Sequence, residues 1–210
     1  MATILHFSLK KNSTKLKSIT GCTLFALAIF VSVPEQLFAQ TEGDYLYNVT
    51  MLRAAPGHFN DLISALQESF DLIEEAGDQT PFWIRHTQGD QWDFMLIYPM
   101  SDLTSYFDAD RIRTRNAAWE GDRGRALTKR LAEFTSYKEE WFSRSVTVAE
   151  LASRFDGMGY FHVEIFAGLP GKREDLNEQR RMENRFYEHL DRQQNLLFVR
   201  EAGSNWDASE

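Results

Sequence analysis

The chain has 210 residues, of which 43% are hydrophobic and 26% charged, and its formal net charge is −8. These proportions are typical of a globular protein and exclude a disordered or fibrous chain. The single cysteine, Cys22, excludes a disulfide framework and a metal site built from several thiolates. Nucleic acids and anionic membranes bind to basic surfaces, so we expect no nucleic-acid partner for this acidic chain.

Residues 1–39 have the order of a secretory signal peptide. Four lysines precede an apolar run from Thr23 to Val33, and the segment ends on a small residue, Ala39. The run is shorter than the roughly 20 apolar residues that a bilayer-spanning helix needs. We therefore expect cleavage after Ala39, an exported (periplasmic or secreted) protein and no stable membrane span. The mature chain then carries 19 basic and 30 acidic residues.

The remaining sequence repeats itself at an offset of 114 positions. The ungapped alignment of residues 56–93 with residues 170–207 contains nine identities in 38 positions. The repeated pairs are Pro56-Gly57 with Pro170-Gly171, Asp61-Leu62 with Asp175-Leu176, and Trp92-Asp93 with Trp206-Asp207. A shared offset and a shared order of motifs indicate one structural unit present twice.

Each copy predicts a β-α-β-β order of elements. Alternating aromatic and β-branched residues predict first strands over 45–52 and 160–166, and apolar residues at helical spacing predict a helix after each Pro-Gly turn. The other predicted elements are second strands over 82–87 and 196–200, a third strand over 92–98, helices within 101–143 that include 127–141, a fourth strand within 141–148, and a connector over 149–159. Only three residues follow the second Trp-Asp pair, so we expect a truncated second unit.

These motifs resemble the dimeric α/β-barrel superfamily, which includes antibiotic-biosynthesis-monooxygenase-like domains. The resemblance rests on the first strand, the Pro-Gly-x-x-x-Asp-Leu helix entry and the Gly-x-x-Trp-Asp turn, and covers most of 44–107 and 158–207. It implies an α+β fold of tandem ferredoxin-like units whose sheets enclose a pocket. We expect a first unit with a helical extension over 40–148, and a connector with an incomplete second unit over 149–210.

Polar residues alternate with apolar ones in both first strands. Asn48 and Thr50 share one face of the first copy, and His162 and Glu164 occupy the equivalent face of the second. We expect the apolar faces to pack on the helices and these four polar residues to bind a small organic molecule inside the barrel. First-strand polar residues of the resembling superfamily often contact ligand. The alternative is a polar face left open to water by the truncated second sheet.

No metal or cofactor is expected at these residues. His162 and Glu164 lie two positions apart, which suits a metal or an acid–base pair. No third candidate ligand lies at a spacing typical of a metal site. Haem-degrading members of the superfamily use a helix histidine, and no histidine occurs between Thr87 and Phe161.

Near the second strand, the offset pairs His86 with Arg200 and a one-residue slip pairs Arg85 with it. The sequence leaves open which of the two points inward.

The sequence predicts an exported protein that binds a small organic molecule. The resemblance also permits a cofactor-independent oxygenase or isomerase. The alternatives are a non-catalytic binding or assembly module and a truncated relic of a longer two-unit enzyme. An incomplete second sheet predicts a homo-oligomer that forms through its open edge, or a C-terminal half less stable than the N-terminal half.

Seven basic residues between Arg111 and Arg130 predict a solvated helix face or a docking site for an anion.

Overall fold

The computed structural model describes residues 43–87 and 91–209. The predicted signal peptide over 1–39 lies outside these residues. Among the helices that the structure describes, none has the length and the apolar character needed to cross a membrane.

The first part of the chain forms a ferredoxin-like unit. Its elements are β1 (Tyr45–Ala54), α1 (Phe59–Glu75), β2 (Phe82–Arg85), β3 (Phe94–Ser101), α2 (Leu103–Tyr106), α3 (Ala109–Glu120), α4 (Asp122–Phe134) and β4 (Thr135–Ser145). The strands lie in the order β2-β3-β1-β4, and every neighbouring pair is antiparallel. Two strand–helix–strand crossovers interleaved in this way form the split βαβ arrangement of ferredoxin-like folds.

The second part of the chain extends the same sheet. Its elements are α5 (Val148–Phe155), β5 (Ile165–Phe166), α6 (Arg173–His189), β6 (Phe198–Gly203) and β7 (Ala208–Ser209). The described residues form one seven-stranded sheet, β2-β3-β1-β4-β6-β7-β5, in which β4 pairs with both β1 and β6. β5 forms one end of the sheet, and only β7 pairs with it in the described part of the chain.

Three predicted elements differ from the structure. The helix expected over 127–141 ends at Phe134 because the next residues alternate in exposure and pair with β1. The connector expected over 149–159 contains α5, which begins after Thr147, and the Thr147 hydroxyl accepts the backbone N–H of Glu150. The strand expected over 160–166 is reduced to Ile165–Phe166, because β7 reaches only these residues.

The hydrogen bonds around the two Trp-Asp turns recur at the 114-residue offset. In each turn the aspartate N–H donates to the first strand, its carboxylate accepts a backbone N–H, and its carbonyl accepts from the end of the second strand. In the first turn the bonds are Asp93 N to Leu52 O (2.7 Å), Ala54 N to Asp93 Oδ2 (2.8 Å) and His86 N to Asp93 O (2.8 Å). In the second turn they are Asp207 N to Phe166 O (2.8 Å), Gly168 N to Asp207 Oδ2 (2.8 Å) and Arg200 N to Asp207 O (3.0 Å). His86 is therefore the equivalent of Arg200, and the slip that pairs Arg85 with Arg200 is wrong.

Helix α1 covers the polar face of β1, and helix α5 packs against its apolar face. Leu52 packs with Leu62 and Leu66 of α1, so the face that carries Asn48, Thr50 and Leu52 lies beneath α1. The opposite face packs against α5 and residues of the second part of the chain; its core contains Tyr47, Val49, Met51, Trp141, Leu151 and Phe198. Both faces of β1 are covered. Alternation separated the two residue sets correctly and the apolar face packs on a helix, α5, but the polar face also lies beneath a helix, α1.

Candidate functional site

A cavity of about 710 Å³ lies between the sheet and helices α1, α3 and α4. Its floor comes from three neighbouring strands, because Thr50 on β1 lies opposite Glu140 on β4 and Asn48 lies opposite Tyr98 on β3. Its apolar lining includes Leu52 and Leu96 from the strands, and Leu66, Ile73, Trp119 and Leu131 from the helices. A mostly apolar cleft with a few convergent polar groups is the usual form of a small-molecule site.

The polar groups of the floor are close to one another. The buried Thr50 hydroxyl lies 3.0 Å from Asn48 Oδ1 and 3.3 Å from Glu140 Oε1, and Lys138 Nζ lies 3.0 Å from the same carboxylate oxygen. The pKa of Tyr98 is raised well above its ordinary value. Burial is the larger cause, and the negative charge of Glu140 adds to it. The Tyr98 phenol therefore remains protonated across the physiological range and is available as a hydrogen-bond donor.

Two arginines of α3 lie at the rim of the cavity, four positions apart and on the same helix face. Their guanidinium carbons lie 4.2 Å (Arg111) and 5.3 Å (Arg115) from the centroid of the Tyr106 ring. Arg111 donates to Asp78 Oδ1 at 2.8 Å, whereas Arg115 donates to the Tyr106 hydroxyl at 2.9 Å. Among the described residues, Arg115 forms no ion pair with a carboxylate, so its charge is available to an anion.

The four residues expected at one site do not meet. Asn48 and Thr50 line the 710 Å³ cavity. His162 lines a separate cavity of about 310 Å³, whose lining also includes Val49 from the opposite face of β1. Glu164 lies 3.3 Å from His162, and the two side chains are 49% and 74% exposed. Pairing of β4 with β6 joins the two parts of the chain edge to edge in one sheet. Equivalent faces therefore do not face each other across a shared interior.

The basic stretch predicted between Arg111 and Arg130 contains two pairs of arginines with different surroundings. Arg111 and Arg115 border the cavity, whereas Arg123 and Arg130 pair with acidic side chains of α1, including Glu68. The four-residue spacing of Arg111 and Arg115 was the available sequence signal for the rim. Tyr98 and Glu140 were missed because their strands become neighbours of β1 only in the folded sheet.

The remaining histidine candidate has a structural role. The ring of His86 stacks on that of Trp92 at a centroid distance of 4.2 Å, and its Nδ1 lies 2.9 Å from the Trp92 carbonyl oxygen. It helps hold the turn that leads into β3. Within residues 43–87 and 91–209, no three His, Cys, Asp or Glu side chains cluster closely enough to bind a metal.

No protein-family model matches the sequence, and no curated protein matches it significantly. Among solved structures, an uncharacterised NIPSNAP domain protein from Burkholderia xenovorans is 15% identical, with a TM-score of 0.37 over 46% of this chain and 90% of that one. A NIPSNAP family protein from Agrobacterium tumefaciens is 14% identical, with a TM-score of 0.41 over 51% of this chain and 91% of that one. A dimeric ferredoxin-like protein of unknown function from Thermobifida fusca is 14% identical, with a TM-score of 0.32 over 48% and 90%. Similarity at this level assigns neither a family nor an activity.

Proposed function

We propose that the protein binds a small organic anion, with an apolar body and one acidic group, in the 710 Å³ cavity. The observation that carries the proposal is the position of Arg115, which lies at the rim of an apolar cleft without a carboxylate partner among the described residues. A guanidinium group presents parallel N–H donors that match a carboxylate, and this pairing gives both orientation and affinity.

The rest of the cavity suits the body of such a molecule. Trp119 and Leu131 offer apolar surface, and Tyr98 and Thr50 offer polar groups at the floor. A ring placed between this apolar surface and the floor would exclude water from the Arg115 contact, which strengthens it. α3 contributes no fully buried side chain, so this helix can move to admit a ligand at a lower cost than α1.

We infer that the 114-residue repeat reflects two tandem ferredoxin-like units, and the recurring turn hydrogen bonds support this inference. Export after cleavage near Ala39 stays a prediction.

Binding is tested by titrating the purified protein with 2-naphthoate, and with 2-naphthamide as the neutral probe, while the fluorescence of its tryptophans is recorded. We expect the carboxylate to bind and the amide to bind at least about tenfold more weakly, because a charged hydrogen bond contributes roughly 1.5–3 kcal/mol. The variant Arg115→Gln should remove this preference. The matched control is Arg113→Gln on the same helix, since Arg113 is 73% exposed and pairs with Asp110. Equal affinity for both probes would overturn the proposal.

A second candidate function is assembly with another protein chain. It is favoured by β5, whose outer edge has no strand partner among the described residues. Exposed strand edges present unpaired N–H and C=O groups that pair readily with further strands.

A further inference from the structure

The outer edge of segment 160–166 and the outward side of helix α6 are not covered by any described element, and both carry exposed apolar residues. Tyr160 is 73% exposed, and the outward side of α6 carries Met182 and Phe186, which are 57% and 58% exposed. Apolar residues at this spacing on a helix normally face another element. Phe186 lies 114 positions after Leu72, which is buried against Leu127 of α4.

The same offset identifies what covers the equivalent edge and helix side in the first part of the chain. β1 is paired along its whole length with β4, and α1 packs against α4. Residues 159–168 are the counterparts of β1, but within the described residues they are paired only at Ile165 and Phe166, and only with β7. A strand on the outer edge and a helix beside α6 are therefore the missing neighbours.

We propose that a second copy of this chain supplies both neighbours, through antiparallel pairing of segment 160–166 with itself about a two-fold axis at Val163. This inference deepens the assembly candidate and does not depend on ligand binding. In that register each His162 lies opposite the partner's Glu164, so that two histidine–carboxylate pairs form across the axis in addition to the 3.3 Å contact between His162 and Glu164 within each chain. The segment is thus complementary to its own reversed copy, as an isologous interface requires.

The apolar residues of the segment fit the same register. Phe161 faces the partner's Ile165, and Tyr160 faces the partner's Phe166. The apolar side chains of the segment already pack within their own chain: Phe161 stacks on Phe155, and Val163 and Ile165 contact the core cluster. Pairing with a second copy therefore orders few additional side chains. A register centred on Glu164 would place two carboxylates opposite each other, which is destabilising.

The charge pairing is tested by measuring molar mass in solution as a function of protein concentration. We expect a dimer for the native chain. His162→Glu should weaken dimerisation at least tenfold by setting two acidic residues opposite each other, and the double variant with His162→Glu and Glu164→Lys should restore it. Both positions are exposed, so the fold is expected to survive, and circular dichroism checks this. A monomer at all concentrations overturns the assembly candidate as well as this inference.

Cross-linking tests the register independently, with Cys22→Ser as the background. Val163→Cys should form an intermolecular disulfide under mild oxidation, because the two Val163 positions face each other across the axis. The control is Glu164→Cys, whose partner position is His162, so it should cross-link far less. A dimer in which Glu164→Cys cross-links and Val163→Cys does not overturns the proposed register and leaves assembly standing.

Discussion

The carboxylate of Asp207 accepts the backbone N–H of Gly168 at 2.8 Å, and its other oxygen accepts from the Arg200 guanidinium. This buried aspartate connects Arg200 within β6 to the chain that follows β5. Burial alone would raise the pKa of Asp207, but the hydrogen bonds from Gly168 and Arg200 outweigh burial and leave the pKa lowered from its ordinary 3.8. The ionised carboxylate therefore stabilises the turn.

We expect Asp207→Asn to lower the free energy of unfolding by about 1–3 kcal/mol at neutral pH. Since the folded-state pKa of Asp207 lies below the unfolded value, its contribution is present above about pH 4 and is lost as the pH falls through the folded value. Urea unfolding of the native chain and the variant should therefore differ most at neutral pH and converge in acid. The control is Asp122→Asn, whose carboxylate is 99% exposed. A constant difference at every pH would contradict the assignment.

Gly203 is required where β6 meets β4. Its φ is +89°, and a Cβ atom built there would lie 2.9 Å from both the Glu140 carbonyl oxygen and Trp141 Cα. Gly203→Ala should destabilise the protein by about 1–3 kcal/mol or more, since a strained backbone and a clash combine. Gly159→Ala is the control because nothing lies within 4 Å of its Cβ position. Equal midpoints of urea unfolding for the two variants would show that the β4–β6 contact tolerates a side chain.

Tyr98→Phe tests the floor of the cavity without changing its volume appreciably. If the protonated phenol donates to the bound molecule, the variant should bind 2-naphthoate about 3–10 times more weakly and unfold at nearly the native midpoint. The control is Tyr187→Phe on α6, where the hydroxyl donates to Glu183 at 2.8 Å. Unchanged affinity in Tyr98→Phe would place the ligand away from the floor.

The hydrogen bond from Arg111 to Asp78 is expected to hold α3 over the cavity. The two side chains are 22% and 16% exposed, and α3 has no fully buried residue of its own. Asp78→Asn should therefore speed amide hydrogen exchange across residues 109–120 and leave α1 unchanged. Exchange that rises equally in both helices would indicate a global loss of stability and contradict a local role.

The sequence predicted the elements whose information is local. Alternation located β1, apolar spacing located α1, and the Pro-Gly and Trp-Asp motifs marked the turns that flank them. The predicted helix beyond Phe134 failed because the residues that follow are also compatible with a helix, and their pairing with β1 selected the strand instead. Local propensity is weak, and a long-range partner can override it.

The site depended on the tertiary structure. The sequence determined that Asn48 and Thr50 share a face and that Arg111 and Arg115 share another, because side-chain direction follows from the period of a strand or a helix. Only the folded chain decided that these two faces enclose one cavity and that His162 lies outside it. The reason is that periodicity acts within a single element, whereas the neighbour of each face is chosen by sheet order and by packing between elements that are distant in sequence.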